Sequence, residues 1–221
     1  MAHPFGVIFD MDGVLVDSAK PHFESWRRLG AELGVVVRQT QFAATFGRQN
    51  RDIIPLLFDV RDPVRIAALA DRKESIYRDL VRVDAPIVEG AVGLLRSLHQ
   101  SGFRLALGSS GPRENIEMIL AAMGVPALFP VIVSADDVTR GKPDPQVFTL
   151  CCQGLALPPS RCIVIEDAPV GIQAARAAGS RSVAVLLYHP REAFPHAELI
   201  VDRLADLTVA RLTALLDGRD D

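Results

Sequence analysis

The chain has 221 residues, enough for one large domain or a domain with an insert, and its 49% hydrophobic and 23% charged residues are typical of a globular protein. Its formal net charge of -3, from 24 basic and 27 acidic residues, argues against nucleic acid or an anionic membrane as a partner. No apolar run approaches the roughly 18 residues of a membrane span, and the N-terminus shows no signal-peptide pattern. We therefore expect a cytoplasmic protein without a membrane or nucleic-acid partner, and take a monomer as the default.

The first predicted element is a short buried strand, Val7 to Phe9, which ends in Asp10, Met11, Asp12 and Gly13. Because side chains alternate along a strand, the two aspartates would project to one side if the backbone stayed extended. The carboxyl end of a buried strand is where open α/β sheets bind ligands. One carboxylate could attack or hold a metal while the other handles a proton. The alternative is a strand that ends in two solvated acids.

Helical patterns fill the chain from there to Pro86, and none of this stretch reads convincingly as a strand. A first helix can be capped by Asp17 or Ser18, and further helical pieces are predicted near 41–46, 52–58 and 63–83. We therefore predict that residues 17–86 form a small all-helical domain inserted after the first strand. Its position beside the acidic strand end suggests a lid.

Strands and helices alternate in the rest of the chain. Helices are predicted at 91–100, 114–123, 144–155, 171–178 and 205–216, and strands at 104–107, 131–133, 162–165, 183–187 and, at an edge, 199–201. Such alternation is typical of a parallel sheet with helices on both faces. We predict an α/β fold, in which residues 1–16 and 87–221 form a Rossmann-like doubly wound parallel sheet core and residues 17–86 the helical cap.

Polar side chains follow the later strands of this predicted sheet. Ser109 and Ser110 follow the second strand, Lys142 lies in the loop after the third, and Glu166 and Asp167 follow the fourth. The carboxyl ends of parallel strands share one edge, so these residues should meet the two aspartates. Clustered carboxylates suit Mg2+, and a lysine with hydroxyls suits phosphate oxygens. Each residue alone reads as an ordinary loop residue, but together they favour phosphoryl transfer through an aspartyl-phosphate.

Four segments resemble the motifs of the haloacid dehalogenase superfamily: Asp10-Met11-Asp12-Gly13-Val14, Ser109, Lys142-Pro143 and Glu166-Asp167. The helical insert between the first two is similar to the subgroup that holds beta-phosphoglucomutase and small sugar-phosphate phosphatases. The resemblance covers nearly the whole chain. It implies the fold predicted above, a phosphorylated small molecule as substrate and Mg2+ as cofactor.

Residue roles follow from the same resemblance. It implies Asp10 as the nucleophile and Asp12 as the general acid and base, a group that dehalogenases of the superfamily do not keep. A general acid is needed to protonate a leaving alkoxide, so Asp12 favours phosphoryl chemistry. Ser109 and Lys142 would grip the transferring phosphoryl group. The implied metal ligands are Asp10, the backbone carbonyl of Asp12, Asp167 and, directly or as a neighbour of the ligands, Glu166.

The choice between a phosphatase and a mutase depends on weaker signals. His22 and Lys73 resemble residues that beta-phosphoglucomutase uses to couple cap closure to the general acid. Arg51 resembles its cap residue for the non-transferring phosphate, although the spacing here is one residue longer. Gly111 stands where that enzyme has a serine, which favours a phosphatase. The expected substrate-binding residues are His22, Gly47, Arg51, Lys73 and Ser110.

We therefore expect an Mg2+-dependent phosphatase that acts on a small phosphorylated metabolite, such as a sugar phosphate. A beta-phosphoglucomutase-like mutase is the main alternative, because its first half-reaction would be the same. A phosphoacceptor signalling or binding module is a remote alternative, and both the helical insert and Asp12 argue against it.

Overall fold

The computed structural model describes residues 5–45 and 47–218, which form two compact units. One unit holds the described chain up to Asp17 and from Ile87 onwards, and the other is Ser18–Pro86. The larger unit contains a parallel sheet with flanking helices, which confirms the predicted fold class, and the smaller unit is helical. The predicted limits of the cap, 17–86, stay a prediction. The end of the helical piece near 41–46 and the chain ends, 1–4 and 219–221, lie outside the described residues.

Six parallel strands form the sheet, in the order β3-β2-β1-β4-β5-β6. The strands are β1 (Gly6–Phe9), β2 (Arg104–Gly108), β3 (Val131–Val133), β4 (Cys162–Glu166), β5 (Arg181–Val185) and β6 (Leu199–Val201). The side chains of β1 are fully buried, as expected for a central parallel strand covered on both faces. The strand order reverses between β1 and β4. Ligands bind at such a switch point, outside the carboxyl ends of the strands.

The larger unit contains five of the described α-helices, of which four lie between successive strands in the chain and one follows the last strand. They are α5 (Ala91–Gln100), α6 (Arg113–Met123), α7 (Gln146–Gly154), α8 (Pro169–Ala178) and α9 (Val209–Asp217). The predicted last helix, 205–216, is wrong at its start. A short 3-10 turn, Leu204–Asp206, comes first, and the helix begins only after Thr208, whose hydroxyl accepts the backbone N–H of Arg211 at 3.2 Å.

The smaller unit has its own apolar core. Its helices are α1 (Ala19–Glu32), α2 (Gln39–Ala43), α3 (Asn50–Phe58) and α4 (Pro63–Val81). Trp26 is 1% exposed and packs in a cluster with Phe42, Ile54 and Ile76, so all four helices contribute to one core. Within the described ranges, no helix combines the length and the hydropathy that crossing a membrane demands.

The two chain segments that connect the units are paired with each other. Val16 forms an isolated antiparallel bridge with Ile87, and the backbone N–H of Val88 donates to Leu15 O at 2.9 Å. The first segment is also bonded to the loop after β1, because Gly13 N–H donates to Val16 O at 2.8 Å. The loop that carries the two aspartates is therefore fixed by backbone hydrogen bonds.

Candidate active site

Lys142 joins the ends of three strands. Its Nζ donates to Asp10 Oδ1 and to Glu166 Oε1, both at 2.7 Å, and lies 3.3 Å from Gly108 O. Asp10 directly follows β1, Glu166 is the last residue of β4, and Gly108 is the last of β2. All three charged side chains are buried. The structure thus brings the predicted nucleophile, lysine and glutamate into direct contact.

Glu166 uses both of its carboxylate oxygens within the fold. Oε1 accepts from Lys142, and Oε2 accepts the backbone N–H groups of Asp167 and Ala168, each at 2.8 Å. Helix α8 makes room for it, because a Cβ at Gly171 would lie 1.8 Å from Oε1. These contacts favour Glu166 as the residue that orients Lys142 over a role as a direct metal ligand.

The site has the charge and the donor atoms for a divalent cation. Asp10, Glu166 and Asp167 each offer a carboxylate oxygen, and these atoms lie within 4.8 Å of one another. Oδ2 of Asp167 is buried and has no hydrogen-bond partner in the described chain. When all three acids are ionised, Lys142 neutralises only one of three negative charges. An oxygen-preferring cation would satisfy both the spare oxygen and the excess charge.

Gly13 keeps space open beside Asp167. Its φ is +82°, which disfavours any other residue, and a Cβ there would lie 1.9 Å from Asp167 Oδ2. The glycine after the aspartate pair is therefore required by both the turn and the neighbouring carboxylate.

Burial is the largest influence on the ionisation of these groups. It raises the pKa of Asp10 to about 7, because the attraction of Lys142 offsets only part of the effect and nearby carboxylates add to it. Burial also raises the pKa of Asp167 well above its usual value, and the charges of Glu166 and Asp10 act in the same direction. Burial alone would lower the pKa of Lys142, but its two carboxylate partners raise it overall.

Asp12 lies in a turn, so the alternation of side chains along a strand does not determine its position. The strand β1 ends at Phe9, and Met11 O then accepts the N–H groups of Leu15 and Val16 at 2.9 and 3.1 Å, so the backbone does not stay extended. The condition under which the two aspartates would share a strand face is therefore not met. The carboxylate of Asp12 instead lies near Gly111, where a Cβ would be 3.8 Å from Oδ2.

Ser109 is fixed beside the same loop. It is 1% exposed, its N–H donates to Val133 O at 3.0 Å, and its Oγ accepts the N–H of Gly111, also at 3.0 Å. The next residue, Ser110, is half-buried. Ser109, Gly111 and Asp12 are thus neighbours at the carboxyl ends of β2 and β1.

The smaller unit contains a second buried polar cluster. Lys73 is 2% exposed, and its Nζ lies 2.6 Å from His22 Nδ1 and 2.8 Å from Glu74 Oε1. Asn50 donates to the same Glu74 oxygen at 2.7 Å, and the His22 ring stacks on Tyr77 at 3.9 Å between centroids.

The other two predicted residues of this unit lie outside that cluster. Arg51 is exposed on α3, and Gly47 is in the loop before it with φ of +87°. The structure thus brings His22 and Lys73 into contact with each other. The substrate-binding role predicted for all four residues stays a prediction.

Comparison with known proteins assigns the family. A sequence profile of the haloacid dehalogenase-like hydrolases matches residues 6–179. The chain belongs to this family.

Among its relatives is validoxylamine A 7'-phosphate phosphatase of Streptomyces hygroscopicus subsp. limoneus, 34% identical over 92% of this chain and 94% of that protein. Another is fructose-1-phosphate phosphatase YqaB of Escherichia coli, 34% identical over 82% and 96%. Among solved structures, beta-phosphoglucomutase from Clostridium difficile superposes with a TM-score of 0.87, at 25% identity and 98% coverage of both chains. The recognition of this superfamily from four short motifs is confirmed.

Glu74 of this haloacid dehalogenase-like hydrolase was not among the residues predicted from the sequence. Burial alone would raise the pKa of Glu74, but the charges of Lys73 and His22 lower it overall. Glu74 is therefore the anion that balances the buried Lys73. Consecutive helical residues do not normally face each other, so the sequence offered no signal for this pair.

We predict that Glu74→Gln destabilises the protein by about 3–5 kcal/mol, because it leaves the buried ammonium of Lys73 without an anionic partner. Glu32→Gln is the matched control, since it removes an exposed ion pair with Arg72 in the same unit and should change the stability much less. Urea unfolding of both variants measures the difference. Equal stabilities for the two variants would contradict the role assigned to Glu74.

Proposed function

We propose that this hydrolase is an Mg2+-dependent phosphatase, which cleaves the phosphate ester of a small metabolite through an aspartyl-phosphate at Asp10. The observation that carries the proposal is the buried contact of Asp10 with Lys142, next to Glu166 and Asp167. This arrangement combines a carboxylate nucleophile with a fixed positive charge and a site for a cation. Phosphoryl transfer needs mainly positioning and neutralisation of charge, and these groups supply both.

Asp10, Asp167 and the backbone carbonyl of Asp12 would hold the Mg2+, with Glu166 fixing Lys142 beside them. The spare buried oxygen of Asp167 supports this assignment. When bound, the cation would neutralise charge on the carboxylates and on the phosphate oxygens.

The first half-reaction transfers the phosphoryl group to the enzyme. The carboxylate of Asp10 attacks phosphorus, and the bond from phosphorus to the ester oxygen breaks. Asp12 gives its proton to the leaving oxygen, which departs as an alcohol. Lys142 and Ser109 bind the phosphate oxygens and keep the group in line with Asp10.

The second half-reaction releases phosphate. Asp12, now ionised, takes a proton from a water molecule whose oxygen attacks phosphorus. The bond between phosphorus and the Asp10 oxygen breaks, and its electron pair returns to the carboxylate. Asp12 is then protonated again, as the next cycle requires.

A phosphorylated sugar or a similar polyol is the proposed substrate class. Of the two relatives described above, one is by its name a phosphatase of fructose 1-phosphate, and the other is a phosphatase of validoxylamine A 7'-phosphate. His22, Gly47, Arg51, Lys73 and Ser110 are the residues proposed to contact it. The protein is further proposed to act as a cytoplasmic monomer without nucleic-acid or membrane partners.

A mutase is the second candidate, supported by the likeness of the fold to a beta-phosphoglucomutase. Beta-glucose 1-phosphate with a trace of the bisphosphate separates the two functions. The phosphatase should release free phosphate as the dominant product. Glucose 6-phosphate as the dominant product would identify a mutase.

We predict that Asp10→Asn and Asp12→Ala each remove nearly all phosphate release from a panel of sugar phosphates, with losses of at least about 100-fold. Asp10→Asn removes the nucleophile, and Asp12→Ala removes the proton donor and acceptor. Asp79→Asn is the control, because Asp79 is an exposed residue of α4 and should leave the rate unchanged. Turnover of Asp10→Asn at the wild-type rate would refute the mechanism.

We predict that Mg2+ stabilises the protein more at about pH 8 than at about pH 6. The pKa of Asp10 in the folded protein, about 7, lies above its ordinary value of 3.8. Ionising Asp10 therefore costs the metal-free protein stability as the pH rises between those values, and a bound cation offsets the cost. At the lower pH, a proton on Asp10 must first be displaced.

Thermal unfolding with and without Mg2+ at constant ionic strength measures this effect. Asp167→Asn, which removes a proposed ligand, should lose most of the shift at both pH values. A shift that is equal at the two pH values, or larger at the lower one, would contradict the proposed competition between proton and cation.

A further inference from the structure

Lys142 lies in the loop that connects β3 to α7, residues 134–145, so neither a strand nor an α-helix fixes the backbone at this residue. Connecting loops are usually more mobile than the elements they join, and a lysine side chain adds a flexible four-carbon stem. Thr139 and Arg140, which precede Lys142 in this loop, are exposed. Contacts within the loop must therefore help to keep the lysine in the site.

Gln146, the first residue of α7, closes this loop with its side chain. Its Oε1 accepts the backbone N–H of Thr139 and that of Arg140, each at 3.0 Å, and the hydroxyl of Thr139 at 3.1 Å. Backbone N–H groups can only donate, so this atom acts as an acceptor. The three hydrogen bonds join the two ends of the segment 139–146, and Lys142 lies between those ends.

Asp144 supports the same segment from within. Its Oδ1 accepts the backbone N–H of Gln146 at 3.0 Å, and its backbone N–H donates to Gly141 O, also at 3.0 Å. Its carboxylate also pairs with Arg140 at 2.9 Å, but this arginine side chain is 72% exposed, and such ion pairs contribute little. The side-chain oxygen of Gln146 is thus the main contact that joins the start of the segment to its end.

We propose that Gln146 is a positioning residue, which holds the loop so that the Lys142 ammonium stays in contact with Asp10. The effect on turnover rests on the proposed function, in which Lys142 binds the phosphate oxygens beside the nucleophile. Without an acceptor at position 146, the three donors bond to water and the segment gains freedom to move. Phosphoryl transfer depends on positioning, so a displacement of the ammonium by about 1 Å lowers the rate.

Two variants separate the acceptor from the bulk of the side chain. Gln146→Met removes the acceptor, and Gln146→Glu keeps a carboxylate oxygen in place of the amide oxygen. Gln, Met and Glu have nearly equal helix propensities, so the start of α7 is preserved in both variants. With sugar phosphates and Mg2+, Gln146→Met should lower kcat about tenfold because Lys142 is displaced, whereas Gln146→Glu should keep most of the wild-type rate.

Lysine acetylation provides a measurement that does not depend on turnover. Lysines are present only at positions 20, 73 and 142. Lys20 is exposed and reports the full reactivity of the reagent, whereas Lys73 is buried in the smaller unit and reports general unfolding. After a short pulse of acetic anhydride, peptide mass spectrometry should show about tenfold faster acetylation of Lys142 in Gln146→Met than in the wild type, because fewer hydrogen bonds hold the loop. The rate at Lys73 should not change.

Gln153→Met is the matched control, because it makes the same exchange at an exposed residue of the same helix. It should leave phosphate release and acetylation of Lys142 at their wild-type values. Gln146→Leu also lacks the acceptor and provides a second variant, which should behave as Gln146→Met does. Thermal unfolding of each variant identifies any that fail to fold.

The outcomes separate this inference from the proposed function. Wild-type kcat or wild-type acetylation of Lys142 in folded Gln146→Met and Gln146→Leu would overturn the inference. Equal losses in Gln146→Glu and Gln146→Met would also overturn it, because the acceptor would then not be the property that matters. Equal acceleration of acetylation at Lys73 and Lys142 would do the same, since it shows general destabilisation.

The proposed function fails in a different way. A wild-type protein that releases no phosphate from the panel of sugar phosphates with Mg2+ would overturn it. Acetylation of Lys142 would still test whether Gln146 holds the loop.

Discussion

The contact of Lys142 with Asp10 and Glu166 is the interaction on which the candidate site depends. It connects the loop after β3 to the ends of β1 and β4, across the point where the strand order reverses. Removing one partner of a buried ion pair typically costs about 3–5 kcal/mol of stability. Loss of any one of these three side chains should therefore destabilise the whole cluster. Asp167 adds a carboxylate that the lysine does not neutralise. Burial raises the pKa of Asp10, the nearby carboxylates add to this effect, and the excess of negative charge favours binding of a cation.

The sequence was sufficient to predict the sheet and the main members of the site. The apolar runs of β1 and β4 indicated strands buried on both faces, and polar residues followed directly after them. In a parallel sheet, all carboxyl ends lie on one edge, which is why residues as far apart as Asp10 and Lys142 could be predicted to meet. Their direct hydrogen bond is the three-dimensional result of that rule.

Other features depended on tertiary contacts that no local pattern contains. Asp12 is positioned by backbone hydrogen bonds of a turn, which the alternation of side chains along a strand does not predict. Glu74 became recognisable only when its contacts with Lys73 and Asn50 were known. The start of α9 depends on capping by Thr208, which interrupts an otherwise continuous helical pattern.

Phosphoryl transfer to the carboxylate of Asp10 can be tested most directly by chemical trapping. Borohydride reduces an acyl phosphate to an alcohol, so enzyme quenched during turnover of a sugar phosphate would carry homoserine where the phosphorylated aspartate stood. Peptide mass mapping locates the modified residue. Homoserine at position 10, dependent on both Mg2+ and substrate, is the predicted result. Homoserine at Asp12 or Asp167, or none at all in an enzyme that is actively releasing phosphate, would contradict Asp10 as the nucleophile.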